Sequence, residues 1–144
     1  MLSKLLLAWC LMAFCVTIHA MGLTAALRWL KGRAAPIEGR FWPATQMLIC
    51  IAGWALFLHL LEIAVWALHY AWKEAMPDVA SAFYFSAVTY TTTGYGDLVL
   101  PEEWRLVGSV EALTGILMCG LSTGLFFAVF AKVFGFNSGR ASTT

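Results

Sequence analysis

Three long runs of apolar residues dominate the chain, and each is long enough to cross a lipid bilayer. They cover residues 5–27, 45–72 and 106–131. A helix needs about 20 mostly apolar residues to span the hydrocarbon core. The pattern therefore predicts three transmembrane helices. Charged side chains lie at the ends of these runs, apart from Glu62 and Glu111.

A fourth, shorter helix is predicted between the second and third runs. Pro77 and Asp78 precede an apolar segment, and Asp78 is a suitable N-cap for a helix over residues 79–91. Such a helix is about 20 Å long, too short to cross the bilayer. It is therefore expected to enter the membrane and return, with the negative end of its dipole at the C-terminus.

The segment Thr92-Thr93-Gly94-Tyr95-Gly96-Asp97 directly follows this helix. Two glycines around an aromatic residue allow a positive φ twice within three residues, so successive carbonyl oxygens can point the same way. Irregular backbone at membrane depth is tolerated only where protein surrounds it or where it lines water. The loop therefore has to lie inside an assembly.

These elements in this order resemble the pore module of the potassium channel family: outer helix, pore helix, selectivity filter and inner helix. The resemblance covers residues 45–134, with the outer helix at 45–72, the pore helix at 79–91, the filter at 92–96 and the inner helix at 106–134. It departs at Thr93, where the common filter carries valine. A β-branched threonine should keep the carbonyl cage and change the packing behind it.

The resemblance implies a filter in which backbone oxygens replace the hydration shell of K⁺. The K⁺ ligands would be Thr92, Thr93, Gly94, Tyr95 and Gly96. A cage needs four loops and the chain holds one, without an internal repeat, so we expect a homotetramer around a central pore. The expected fold is an all-α integral membrane protein.

Several side chains are predicted to support the filter. The ring of Tyr95 would turn away from the axis into an aromatic collar of Phe83, Tyr84 and Phe85, and Tyr84 could hydrogen-bond Asp97. With Glu102 and Glu103, Asp97 would form an acidic vestibule that concentrates cations. An ordinary solvated loop explains these acids as well.

The inner helix carries the expected pore lining and gate. Residues Ile116, Cys119, Thr123 and Phe127 recur at spacings of three and four, which places them on one helical face. By resemblance that face lines the cavity, and Phe127 would be a hydrophobic constriction. Gly115 and Gly120 are either hinge or packing glycines, and Gly120-x-x-x-Gly124 permits close helix approach.

Glu62 and Glu111 are the two acids within the predicted spans. A charge at bilayer depth costs about 2.5–3.5 kcal/mol, so each should be neutral, paired or facing protein. His59 lies on the same helical face as Glu62. Glu111 is expected to brace the pore helix, through Tyr90; either it is structural, or its titration makes gating proton-sensitive.

Basic residues fix the expected orientation. Residues 31–44 are expected to form a cytoplasmic loop, because one acid, Glu38, is outnumbered in and beside it by four basic residues: Arg28, Lys31, Arg33 and Arg40. Lys132 and Arg140 place the tail, residues 135–144, on the same side. The N-terminus is then external. Residues 28–40 could also bind anionic lipid head groups.

The first 30 residues allow two interpretations. Lys4 and the apolar run after it are typical of a signal peptide with a cleavage position at Ala20. The run continues to Leu27, however, which favours a retained N-terminal transmembrane helix over residues 1–30. A helix lying in the interface is the third possibility.

Composition excludes several other classes of protein. A mean hydropathy of +0.79 with 12% charged residues rules out a soluble globular domain, and a net charge of +1 does not favour nucleic acid. The four cysteines and three histidines are dispersed, without the spacing of a disulfide framework or a zinc site. No acid–base constellation, nucleotide loop or regular arginine repeat is present, so neither an enzyme nor a voltage sensor is expected. No cofactor is expected either, with K⁺ as the permeant ion.

The sequence therefore predicts a potassium-selective channel that conducts passively, in the plasma membrane and most compatibly in a bacterial inner membrane. A non-selective cation channel and a non-conducting membrane subunit are the alternatives. The gating stimulus and the conductance are not encoded in any recognisable pattern.

Overall fold

The computed structural model describes residues 2–31, 33 and 39–134. Predictions for the centre of the basic loop, including Glu38, and for the tail 135–144, including Arg140, lie outside these residues. Within the described part the chain is helical. Three of its helices are long and apolar enough to cross a membrane.

Four α-helices and one 3-10 turn form the fold. Their bounds are α1 Leu2–Leu30, α2 Phe41–Trp72, α3 Val79–Tyr90, the 3-10 turn Glu102–Trp104 and α4 Arg105–Val133. Helix α2 begins four residues before the expected residue 45. Pro43 did not delay it, because proline is tolerated in the first turn, where its missing N–H has no helical partner.

The start of α3 is fixed by its predicted cap. Asp78 is extended, and its Oδ1 accepts a hydrogen bond of 2.8 Å from the backbone N–H of Ser81. The Ser81 hydroxyl donates to Oδ2, also at 2.8 Å. These two bonds stabilise the carboxylate and lower the pKa of Asp78 below its ordinary value. The prediction that Asp78 caps this helix is confirmed.

The two ends of the helical bundle are held by different contacts. At one end Lys4 lies 2.8 Å from a carboxylate oxygen of Glu103 and 4.2 Å from the ring centroid of Trp104. At the other end the N–H of Gly39 donates to the carbonyl of Val133 at 3.0 Å. The start of α1 therefore lies at the same end of the bundle as the chain between α3 and α4.

Polar side chains are buried where the helices meet. Among the described residues the buried polar and charged side chains are His19, Glu62, His69, Ser86, Glu111, Thr114 and Ser122. Most of them fall into two hydrogen-bonded groups, one around Glu111 and one around Glu62. Both groups contact α3, which carries the loop 92–96.

Candidate functional site

The backbone of the loop after α3 alternates in handedness. Gly94 and Gly96 have φ values of 57° and 78°, which confirms the positive φ predicted for the two glycines. Thr92 has a φ of 58° as well. A left-handed β-branched residue is rare and costs of order 1–3 kcal/mol, so the surrounding structure has to hold it. Sequence reasoning missed this position because threonine gives no signal for a positive φ.

Hydrogen bonds to α3 orient the first two carbonyl groups of the loop. The N–H groups of Thr93 and Gly94 both donate to the carbonyl of Val88, at 2.9 and 3.3 Å. All described peptide bonds are trans, so the C=O of each peptide points opposite to its N–H. The carbonyls of Thr92 and Thr93 therefore both point away from α3. Two successive oxygens on one side are what a stack of cation ligands requires.

The hydroxyl of Thr93, the position that departs from the common filter, has a specific partner. It lies 3.0 Å from the hydroxyl of Thr91, which itself donates to the carbonyl of Ala87 at 2.7 Å. Since the hydrogen of Thr91 is used in that bond, Thr93 donates to Thr91. The threonine thus ties the loop to the last turn of α3 by a bond that valine lacks.

Tyr84 and Asp97 join α3 to the outer end of the loop. The Tyr84 hydroxyl donates to Oδ2 of Asp97 at 2.7 Å, so the predicted hydrogen bond is present. This bond is the main cause of a lowered pKa at Asp97, because it stabilises the carboxylate. Phe85 turns the other way and packs on Tyr70, with ring centroids 5.5 Å apart. Tyr95 is 72% exposed, and its place in a collar stays a prediction.

The Tyr84–Asp97 bond should set the acid sensitivity of the loop. A lowered pKa means that the bond to the carboxylate contributes stability above the ordinary pKa of aspartate, about 3.9, and is lost as the pH falls through the lowered value. Tyr84→Phe removes the donor, so the acid midpoint of ion flux, measured against external pH, should rise. In an Asp97→Asn background the same change should have no effect on the midpoint. A midpoint shared by Tyr84→Phe and the parent contradicts the assignment.

Glu111 braces α3, although through a different residue from the one predicted. Its carboxyl group contacts the hydroxyl of Ser86 on α3 and accepts a hydrogen bond of 2.8 Å from the hydroxyl of Tyr70 on α2. The expected partner, Tyr90, instead donates to Glu62. Tyr90 and Ser86 are four residues apart on α3 and lie against different acids, a detail that helical spacing alone did not resolve.

Glu62 is the centre of the second buried group. Its Oε1 lies 2.8 Å from Nδ1 of His19 on α1, and its Oε2 accepts from the Tyr90 hydroxyl. His59 Nδ1 lies 3.1 Å from the Tyr90 oxygen and 3.7 Å from Glu62 Oε2. Ser122 on α4 lies 3.1 Å from Nε2 of His19. This group contains residues from all four helices.

The three histidines are dispersed along the sequence. In the folded chain, however, His19 and His59 lie next to each other. The rings of His19 and His59 have centroids 5.2 Å apart. In the sequence, the available signal was the regular spacing along α1 of four residues that the structure shows to be buried. Cys15, His19, Gly22 and Ala26 follow one another at steps of four, three and four, which is one helical face.

The glycines of α4 differ in their surroundings. A Cβ at Gly115 would lie 1.9 Å from the carbonyl oxygen of Tyr90, whereas one at Gly120 or Gly124 would meet no described residue within 4 Å. Gly115 is therefore a packing glycine that lets α4 approach the end of α3. A hinge at Gly120 stays a prediction.

One face of α4 is exposed and has no partner among the described residues. The four residues expected to line a cavity are all exposed in the isolated subunit: Ile116, Cys119, Thr123 and Phe127. Phe127 is 68% and Ile116 56% exposed. The loop 92–96 is exposed as well. Two long apolar helices around a short helix and a strained loop, with an exposed face on α4, are the arrangement typical of a membrane pore.

Comparison with known proteins agrees with this class. Residues 45–132 match the family described as Ion channel, which is more than half of the 144 residues. The chain belongs to this ion channel family. Helix α1 lies outside the matched residues. No solved structure matches the chain.

The curated relatives are much longer proteins. The potassium voltage-gated channel protein Shal of Drosophila melanogaster is 31% identical over 90 residues, which cover 57% of this chain and 16% of Shal. The A-type voltage-gated potassium channel KCND3 of Rattus norvegicus and that of Homo sapiens are each 29% identical over 90 residues, 57% of this chain and 14% of theirs. The chain thus corresponds to a small part of each relative.

Proposed function

We propose that the protein is a potassium-selective channel in which K⁺ passes down its electrochemical gradient through backbone carbonyl rings. The ligands are the oxygens of Thr92, Thr93, Gly94, Tyr95 and Gly96 from each of four copies. The observation that carries the proposal is the pair of N–H bonds to Val88, which turns two successive carbonyls away from α3. Potassium channels among the matched relatives support the choice of ion.

A homotetramer with a fourfold axis completes the site. One chain supplies one loop, and a cage around a dehydrated ion needs oxygens from several sides. The loop and the face of α4 around Ile116 and Phe127 are exposed in the subunit, and exposed irregular backbone is not tolerated in lipid. Placing both on a symmetry axis covers them with identical copies.

Phe127 is the proposed gate. It lies on the open face of α4, two turns before the helix ends at Val133. A ring of four aromatic side chains at the narrow end of a cavity can close a pore by excluding water. Phe127→Ala should therefore raise the resting ion flux of reconstituted protein severalfold. Phe126→Ala, on the neighbouring exposed position, is the control, and an unchanged flux in Phe127→Ala contradicts the assignment.

The proposed orientation places the N-terminus and the loop between α3 and α4 outside. The contact of Lys4 with Glu103 supports a common side for both segments. It also neutralises Glu103, so the acidic vestibule rests mainly on Asp97 and Glu102. Arg28, Lys31, Arg33 and Arg40 then face the cytoplasm, where they can contact anionic lipids. A bacterial inner membrane fits this proposal, with α1 retained as a part of the folded protein.

Flux into liposomes that contain only this protein tests the function. Uptake of K⁺ and Rb⁺ at least about tenfold faster than Na⁺ is expected from a carbonyl cage. The control is Gly94→Val, which places a β-branched side chain at a φ of 57° and should remove the selectivity. Equal uptake of Na⁺ and K⁺ would indicate a non-selective channel. No uptake by correctly assembled protein would indicate a non-conducting subunit.

A further inference from the structure

We propose that His19 on α1 is a positioning residue for the filter, because it holds Glu62 against Tyr90 at the end of the pore helix. The inference rests on the proposed function and concerns a helix outside the part of the chain that matches the ion channel family. It assigns α1 a part in selectivity, in addition to crossing the membrane.

The hydrogen bonds around Glu62 can be assigned so that every partner is satisfied. An ionised carboxylate accepts from Nδ1–H of His19 and from the hydroxyl of Tyr90. Since the hydroxyl hydrogen of Tyr90 is used, Nδ1–H of His59 donates to the Tyr90 oxygen. Nε2 of His19, left without hydrogen, accepts from the hydroxyl of Ser122.

This group needs no further ligand. Buried side-chain atoms without a hydrogen-bond partner, among the described residues, are confined to Trp66 Nε1 and His69 Nε2. The side chains of His19, His59 and Glu62 bring atoms of metal-ligand type within 4.8 Å of one another. Their hydrogen bonds, however, already use both imidazole Nδ1 atoms and both carboxylate oxygens. The geometry therefore favours a hydrogen-bonded support over a metal centre.

Two contacts fix Tyr90, one at its side-chain hydroxyl and one at its backbone carbonyl. Its hydroxyl is held by Glu62, and its carbonyl oxygen lies so close to Gly115 that a Cβ there would be 1.9 Å away. Thr91 follows, and Thr92 then takes the left-handed conformation with a φ of 58°. A strained residue persists only where its surroundings over-determine it. The fixed tyrosine supplies that constraint two residues before Thr92.

His19 is the nearer of the two histidines that contact Glu62. The side chains of His19 and Glu62 are 0% exposed and 2.8 Å apart, whereas His59 lies 3.7 Å from the carboxylate. Removing His19 takes the hydrogen-bond donor away from a buried carboxylate oxygen, which is destabilising. Without His19, Glu62 would draw in water or take up a proton, and Tyr90 would lose a fixed acceptor.

Ion selectivity of assembled tetramers tests the inference. His19→Leu should raise the permeability of Na⁺ relative to K⁺ by at least about fivefold, the lower end of usual couplings between sites. His19→Gln keeps an N–H donor and should restore the parental ratio to within about twofold. In a Tyr90→Phe background His19→Leu should change the ratio by less than about twofold, because the connection to α3 is already absent.

Thr17→Val is the matched control on α1. Among the described residues the Thr17 hydroxyl bonds only the carbonyl of Ala13 in its own helix, so the ratio should remain parental. A parental ratio in His19→Leu tetramers, or equal loss in His19→Gln, overturns the inference. If His19→Leu does not assemble, Ser122→Ala, which frees only Nε2 of the ring, replaces it, and an unchanged ratio there overturns the inference. A parent protein that itself does not select K⁺ would instead refute the proposed function.

Discussion

Gly115→Ala is expected to abolish the assembled, conducting form of the protein. The added Cβ would lie 1.9 Å from the carbonyl oxygen of Tyr90 and 2.8 Å from its carbonyl carbon. Both are backbone atoms at the end of α3, so a side-chain rotation cannot relieve the clash. Overpacking of a core costs about 1–3 kcal/mol where side chains can adjust. Here α4 has to move away from Tyr90, which lies two residues before the loop 92–96.

The measurement is the yield of the proposed tetramer from membranes and the K⁺ flux of the purified fraction. Gly53→Ala is the matched control, since a Cβ at Gly53 in the middle of α2 meets nothing within 4 Å. Alanine is the better helix former by about 1 kcal/mol, so this control should assemble at least as well as the parent. Parental yield and selectivity in Gly115→Ala would contradict the close approach of α4 to α3.

Glu111→Ala is expected to have the second largest effect, through the support that α2 and α4 give to α3. The substitution leaves the buried Tyr70 hydroxyl without its partner, at a cost of about 1–3 kcal/mol, and removes one of the two partners of the Ser86 hydroxyl. A cavity adds to this cost. The midpoint of thermal dissociation of the proposed tetramer should fall, together with the selectivity for K⁺.

Glu111→Gln tests whether the support of α3 requires a charged side chain at this position. No lysine, arginine or histidine pairs with Glu111 among the described residues, and its carboxyl group is fully buried. The Ser86 hydroxyl oxygen also lies 3.1 Å from the carbonyl oxygen of Ile63, to which it can donate its one hydrogen. A neutral Glu111 that donates to Ser86 therefore satisfies all the partners.

Glutamine reproduces that donor and acceptor arrangement. Glu111→Gln should therefore keep the stability and flux of the parent, with the same dependence on external pH. Instability of Glu111→Gln equal to that of Glu111→Ala would show that the brace requires a charge.

The fold was predictable from sequence wherever the signal was local. Apolar runs of sufficient length gave the three spanning helices, and Asp78 with Pro77 gave the start of α3. Gly94 and Gly96 gave two of the left-handed positions, because glycine is the residue that takes them without strain. Helix ends were less well defined, since proline in a first turn is compatible with helix, as Pro43 shows.

Contacts between distant segments were not predictable in the same way. Tyr90 was expected to contact Glu111, whereas in the structure its hydroxyl donates to Glu62. The partner of Glu62 lies 43 positions earlier, on a helix that the resemblance does not include. The left-handed Thr92 depends on bonds from the loop to Val88, which no propensity of threonine encodes. These features arise from helix packing, which local sequence patterns do not encode.

The roles of α1 and of the pore module are connected at Glu62. A carboxylate inside the membrane is expensive unless it is paired, and the outer helix alone offers His59 at 3.7 Å. Helix α1 supplies the nearer partner, and its Lys4 contacts the outer loop through Glu103. We therefore expect α1 and the pore module to fold as one unit.

A density map of the purified protein in K⁺, determined by electron cryo-microscopy in lipid nanodiscs, tests the central claim most directly. The account predicts four subunits around one axis, with the carbonyls of residues 92–96 facing it and a row of ion peaks between them. A monomeric or dimeric particle, or loops 92–96 that lie away from any symmetry axis, would contradict it.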